Sequence, residues 1–194
     1  MYLVRYLKKT RDIGIRFNPD QTKGFDCYCD ADFSGNWNRD FAHNDPSTSK
    51  SRSGWIIYYA GCPIIWASKL QSQVALSTTK AEYIAMSMAL RDVLPIMHLV
   101  KEMKDNGFPV LCTEPYVYCK VFEDNSGALE LARLPKLRPR TKHINIVYHH
   151  FREAVRNGDI KIFPVGTEDQ IADVLTKALP QNLFVRHRIK MCGQ

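Results

Sequence analysis

Phe25-Asp26-Cys27-Tyr28-Cys29-Asp30-Ala31-Asp32 reads as a strand that runs out into acid, and it constrains this chain more than any other stretch. Period-2 alternation puts Phe25, Cys27 and Cys29 on one face and Asp26, Tyr28 and Asp30 on the other. Open α/β sheets bind ligands outside the carboxyl ends of their central strands, so a carboxylate leaving such a strand ahead of a polar loop stands where chemistry is placed. Asp30 would equally serve as a turn-initiating aspartate if nothing joined it. Its partners decide the matter.

The 194 residues hold one full-sized domain and hardly two. Residues 34–53, rich in Ser, Asn and Asp, read as a loop of about twenty residues. Trp55–Tyr59 and Pro63–Ala67 flank Ala60-Gly61-Cys62 as a hairpin, which makes three antiparallel strands. A helix follows from Ser77-Thr78-Thr79 along Ala81, Ile84, Ala85, Met88 and Ala89, with Pro95 expected to kink or split it and a second piece reaching about Asp105. The next strand spans Tyr116 to Phe122 and leads into Glu123-Asp124-Asn125. Beyond it come a helix over Ser126–Arg133, a basic loop over Leu134–Lys142 and a helix over Ile144–Asn157 stopped by Gly158. A strand over Ile160–Val165 and a helix over Glu168–Leu179, stopped by Pro180, complete the order βββ-α-β-α-α-β-α. The fold class is α/β.

The net charge of +7 and pI of about 9.1 favour a polyanionic partner. Six cysteines include no Cys-x-x-Cys pair, and those inside strands act as small buried hydrophobes. With no signal peptide, a reducing interior is the expected compartment. No apolar run approaches the ~20 residues of a membrane-spanning helix, so no membrane is expected.

Three further acids matter. Thr79-Lys80-Ala81-Glu82 fits a capping box, yet Glu82 also begins the stripe Ala85, Met86, Ala89 and Val93 that should pack on the sheet, where an acid is costly unless paired or metal-bound. Asp124 follows a strand as Asp30 does. It would cap the next helix unless Asn125 or Ser126 did so, and parallel neighbouring strands would bring both acids to one sheet edge. Asp173 sits between the apolar pairs Ile171-Ala172 and Val174-Leu175, one turn from the like charge Asp169, in a helix that Asp does not favour. Together the four are hard oxygen ligands suited to two Mg²⁺ ions. Such ions, about 4 Å apart, serve phosphodiester cleavage by activating water and stabilising the leaving oxygen.

This order of elements and acids resembles ribonuclease H, and the wording is closest to the ribonuclease H domain of copia-type retrotransposon polyproteins. Cys29-Asp30-Ala31-Asp32-Phe33 is similar to the family's Ser-Asp-Ala-Asp-Trp, and Lys50-Ser51-Arg52-Ser53-Gly54 to its Lys-Ser-Thr-Ser-Gly. Gln71 to Ala85, Asp124-Asn125-x-Gly-Ala, Arg140-Thr141-Lys142-His143-Ile144 and Gln170-Ile171-Ala172-Asp173-Val174-Leu175-Thr176-Lys177 continue the match. Residues 24–180 are covered. Residues 1–22 resemble the stretch that follows the reverse transcriptase in the same polyproteins, and 181–194 remain as a C-terminal tail.

The resemblance implies a mixed five-stranded sheet, three antiparallel strands and then two more, with helices on both faces. It implies Asp30, Glu82, Asp124 and Asp173 as catalytic, metal-binding acids for two Mg²⁺ ions, with Mn²⁺ as substitute. The implied reaction is hydrolysis of the RNA strand of an RNA–DNA hybrid. It further implies the reverse transcriptase portion of the polyprotein as partner and a cytoplasmic virus-like particle, or the nucleus, as location. Of the pair Asp30 and Asp32 it singles out Asp30 and leaves Asp32 facing solvent. A hybrid is read by shape, phosphates and 2′-OH groups, for which Asn125, Ser126, Arg138, Arg140, Lys142 and His143 are the candidates. Departures are Lys80 in place of an acid, Pro95, and a segment from Gly166 to Ile171 without the histidine many relatives carry, leaving Glu168 as the available group. A catalytically silent binding or connection module from a decayed element is the alternative. A transposase or integrase core is disfavoured by the order of the acids.

Overall fold

The computed structural model describes residues 2–20, 22–40, 44–110, 117–134 and 146–194. Helix α1 (Tyr2–Lys9) precedes strands β1 (Phe25–Asp32), β2 (Arg52–Tyr59) and β3 (Cys62–Leu70). Helix α2 (Thr78–Asp105), strand β4 (Cys119–Glu123), helices α3 (Ser126–Arg133) and α4 (Arg152–Asn157), strand β5 (Ile160–Pro164) and helix α5 (Gln181–Met191) follow. The strands form one sheet in the order β3-β2-β1-β4-β5. β1 and β3 run antiparallel to β2, and β4 runs parallel to β1 and β5, as the resemblance implies. The β2–β3 hairpin closes on Ala60 and Gly61, both at positive φ, the geometry that matches strand twist in a two-residue turn.

One sheet face carries Phe25, Cys27, Cys29, Trp55, Ile57, Cys119 and Val121 against Tyr83, Met86, Leu90 and Val93 of α2. On the other face Ile56 and Tyr58 pack on Ile171, with Tyr28, Leu175 and Met191 around them. Ala81 and Ala85 meet Ala31 and Ala75, so small side chains let the start of α2 lie close to the end of β1. Both faces are covered.

Several local expectations change. The N-cap of α2 is Ser77, whose hydroxyl accepts from the Lys80 amide at 3.1 Å, and not Thr79. The helix also runs through Pro95 without a break. Pro95 and Arg91, whose carbonyl loses its partner, are both exposed, on the side of the helix where the lost hydrogen bond costs least. The stretch expected as one helix over Ile144–Asn157 divides among its described residues into a 3-10 turn at Ile146–His149 and α4, which ends at Gly158 with φ 85°.

The expected helix over Glu168–Leu179 is two 3-10 turns, Thr167–Asp169 and Ile171–Leu175, separated by the extended Gln170. Pro180 starts α5 instead of stopping a helix, since its fixed φ suits an N-terminal position and its missing amide is no loss there. The expected C-terminal tail is therefore mostly α5, and it pairs with the N-terminal segment: the Arg16 amide donates to the Cys192 carbonyl at 2.8 Å, and Tyr6 meets Phe184 edge-on. α2 is long and apolar enough to cross a bilayer by length and composition alone, against the expectation from apolar runs. Here 56% of its most apolar window is buried inside the fold.

Candidate active site

Asp30 and Asp124 reach one edge of the sheet because β1 and β4 are parallel neighbours. Their pairing ends at Tyr28 and Phe122, and beyond that the strands part. The side-chain amide of Gln170 occupies the fork, donating to the Cys29 carbonyl at 2.9 Å and lying 3.4 Å from that of Phe122. Two carbonyls that a longer ladder would have paired are thus satisfied by one side chain, which also fixes where the following 3-10 turn delivers Asp173.

Asp30 lies on the sheet face of that turn. The Thr176 hydroxyl donates to Asp30 Oδ2 and sits 3.1 Å from the Asp173 carbonyl, while Lys177 Nζ lies 2.9 Å from Asp173 Oδ1 and 3.9 Å from Asp30 Oδ1. The close approach depends on Gly54, which pairs with Asp30 across β1 and β2. A Cβ there would stand 2.7 Å from Leu175 Cβ and from Thr176 Cγ2.

Glu82 arrives from the opposite face, on the first turns of α2. With Ser77 capping the helix, its carboxyl is released from capping and accepts from the Ala31 backbone amide. Gln71 fixes this end of α2, donating at 2.9 Å to both Ser53 Oγ and the Ala81 carbonyl. Asp124 is likewise released, because Asn125 caps α3 by accepting from the Ala128 amide at 3.0 Å.

The four acids therefore converge, and a fifth joins them. Asp30, Asp124 and Asp173 each offer an oxygen within 4.8 Å of the others, as do Glu82, Glu123 and Asp124. Asp124 is common to both groups. Asp30 is 2% exposed, Glu82 7%, Glu123 0% and Asp173 1%. Burial pushes the Asp30 carboxyl up to about 7, against the Thr176 hydrogen bond, with Asp173 and Asp124 raising it and Lys177 lowering it. Burial, with the charges of Glu123, Asp30 and Asp124, takes Glu82 up to about 11, and burial takes Glu123 up to about 8 against the amide of Asn125. Asp173 is raised by burial against the pull of Lys177. Burial lowers the Lys177 ammonium, but Asp30, Asp173 and Asp124 together outweigh it and leave Lys177 raised.

Acids this close, with Glu82 Oε2 buried and without a hydrogen-bond partner among the described residues, fit a site that holds divalent cations through hard oxygen donors. Asp30, Glu82, Asp124 and Asp173 are the residues that would hold them. Asp32 is half-buried and lies over Gly35, where a Cβ would be 1.7 Å from Asp32 Oδ2. Asn125 is half-buried at the helix cap, and Ser126 is exposed beside it. Arg138, Arg140, Lys142 and His143 lie outside the described residues. Glu168 is exposed on the turn that precedes Gln170.

Sequence reasoning passed over Glu123, Gln170, Thr176 and Lys177. Glu123 was legible by alternation, two residues beyond Val121 on the buried face of β4. The other three stand in the same short motif as Asp173, where the acid alone drew notice.

No family model matches the chain. It is 35% identical over 182 residues to the retrovirus-related Pol polyprotein from transposon RE1 of Arabidopsis thaliana, covering 94% of this chain and 11% of the polyprotein. It is 34% identical over 185 residues to that from transposon TNT 1-94 of Nicotiana tabacum, covering 94% and 12%. The chain thus spans about a tenth of the length of these relatives. Among solved structures, LC11-RNase H1, isolated from compost by a metagenomic approach, matches with a TM-score of 0.51 at 16% identity, covering 79% of this chain and 92% of that one. The chain thus has the ribonuclease H fold and is homologous over nearly its whole length to a segment of copia-type retrotransposon Pol polyproteins.

Proposed function

We propose that this chain hydrolyses the RNA strand of RNA–DNA hybrids with two divalent cations, Mg²⁺ or Mn²⁺ in its place, as a step of retrotransposon reverse transcription. The observation that carries this reading is the convergence of Asp30, Glu82, Asp124 and Asp173, from four separate elements, on two carboxylate groups that share Asp124. Bound cations supply Lewis acidity toward the attacking water and the departing oxygen. The chain's own residues hold and orient: Thr176 and Lys177 fix Asp30 and Asp173, the Ala31 amide fixes Glu82, and Gln170 keeps the two strand ends in register.

Asn125 and Ser126 stand beside Asp124, where a phosphate or 2′-OH of the hybrid would pass, and Arg138, Arg140, Lys142 and His143 supply cations for the backbone. The reverse transcriptase portion of the polyprotein is the proposed protein partner, and a cytoplasmic virus-like particle or the nucleus the place of action. Cleavage of a labelled RNA–DNA hybrid tests the activity. Mg²⁺-dependent cleavage that is lost in Asp124→Asn supports it; well-folded protein that binds hybrid but cleaves with neither Mg²⁺ nor Mn²⁺ is instead a silent binding module.

A further inference from the structure

Glu123 ends β4 on the face that sends Cys119 and Val121 into the core, and it is fully buried. Building on the reading of these acids as a divalent-cation site, we propose that Glu123 is a fifth metal-ligating carboxylate and that the pocket of Glu82, Glu123 and Asp124 takes the first cation.

The donor geometry is close to what an ion requires. One oxygen from each of the three lies within 4.8 Å of the others, and oxygens around a Mg²⁺ or Mn²⁺ ion bonded at about 2.1 Å lie up to about 4.2 Å apart. Glu123 is held ready for this: Oε1 accepts from the Asn125 amide at 3.1 Å and Oε2 from the Cys29 thiol at 3.5 Å. A carboxylate oxygen has two lone pairs, so each still has one to offer.

Glu82 points to an ion independently. It is 7% exposed, and its Oε2 has no hydrogen-bond partner among the described residues. A buried carboxylate oxygen in that condition is strongly disfavoured unless a proton or a cation takes it, and a binding cation displaces the proton.

The other trio, whose Asp173 Oδ1 likewise lacks a hydrogen-bond partner among the described residues, already has a positive charge beside it. Lys177 places an ammonium 2.9 Å from Asp173 and 3.9 Å from Asp30, and Thr176 donates to Asp30. A cation entering there competes with a tethered positive charge. Among the described residues neither Glu82 nor Glu123 forms an ion pair, so Lys177 reaches this pocket only through the charge of the shared Asp124.

Mn²⁺ binding to the chain without nucleic acid, followed by calorimetry and by electron paramagnetic resonance of free Mn²⁺, tests this. Glu123→Gln keeps the shape and the acceptor for Asn125 but removes the charge. It should weaken the first Mn²⁺ by about ten-fold or more, with Glu123→Asp in between, while Asp173→Asn leaves the first ion within about three-fold. Equal affinity in Glu123→Gln and the unsubstituted chain overturns the role of Glu123 and leaves the cation site standing; no Mn²⁺ binding by the unsubstituted chain overturns both. Should Glu123→Gln fail to fold, Mn²⁺ anomalous diffraction from crystals of the unsubstituted chain decides. A peak within about 2.5 Å of a Glu123 carboxylate oxygen supports the proposal. A first ion held by Asp30, Asp124 and Asp173 alone overturns it.

Discussion

Gln170 donates its side-chain amide to the Cys29 carbonyl at 2.9 Å, in the fork where β1 and β4 cease to pair. This one bond ties the last turn to the strand end that carries Asp30. Gln170→Leu keeps the volume and removes the donor, leaving the Cys29 carbonyl buried and unsatisfied. A loss of about 1–3 kcal/mol of stability is expected by urea unfolding. Cleavage of hybrid should fall further than stability alone accounts for, because Asp30 and Asp173 lose their common register. Unfolding indistinguishable from the unsubstituted chain would show that Gln170 only fills space.

Gly54 permits the same contact from the side of β2. A Cβ there would press on Leu175 and Thr176 at 2.7 Å, closer than real carbon atoms approach. Gly54→Ala should therefore destabilise by about 1–3 kcal/mol and release the Thr176 hydroxyl from Asp30. Gly166→Ala is the matched control, since a Cβ at Gly166 meets nothing within 4 Å and its φ is −70°. It should stay within about 0.5 kcal/mol. Equal unfolding midpoints for the two variants would contradict the packing argument.

The raised carboxyls make stability depend on pH in an unusual direction. Asp30 is held at about 7, Glu123 at about 8 and Glu82 at about 11, all above the ordinary carboxyl value near 4. Between about pH 4 and those values the folded chain binds more protons than the unfolded one, so the stability these groups contribute falls as pH rises. The slope is about 1.4 kcal/mol per pH unit for each proton retained only in the fold. Lys177, also raised, acts above this window. Unfolding in EDTA at pH 5, 7 and 9 should show a steady decline from pH 5, and saturating Mg²⁺ should flatten it by binding the ionised form. An ion-free profile that rises toward pH 9 would refute the assignment.

The sequence made the site more legible than the elements that deliver it. Strand alternation and motif spacing, which are local properties of the chain, point to Asp30, Glu82, Asp124 and Asp173, and the fold brings these acids together. Two choices were not local. Glu82 had a capping box to itself on paper, and only the closure of α2 on Ser77 released it; Asp124 had a capping role until Asn125 took it. The turn at Asp173 looked helical because its apolar pairs carry helical spacing, whereas Gln170 is held extended with its amide bonded to β1 and β4. Pro95 and Pro180 misled for one reason. Proline limits the backbone, but exposure and position in the helix determine whether it ends one, passes through or begins one.

Lys177 is the resident cation of the Asp30–Asp173 side, and its removal should move two readouts in opposite directions. With the ammonium 2.9 Å from Asp173 and 3.9 Å from Asp30, Lys177→Met leaves two buried acids to repel each other and Asp124. The ion-free protein at pH 7.5 should therefore melt lower, by about 2–4 °C for each 1 kcal/mol lost in a chain of this size. Mg²⁺, freed from competition with the ammonium, should then bind more tightly and raise the melting temperature by more than it does in the unsubstituted chain. Calorimetric melting in EDTA and in a Mg²⁺ series measures both. A lower ion-free melting temperature with no larger Mg²⁺ response would mean that Lys177 braces the fold without standing in a cation's place.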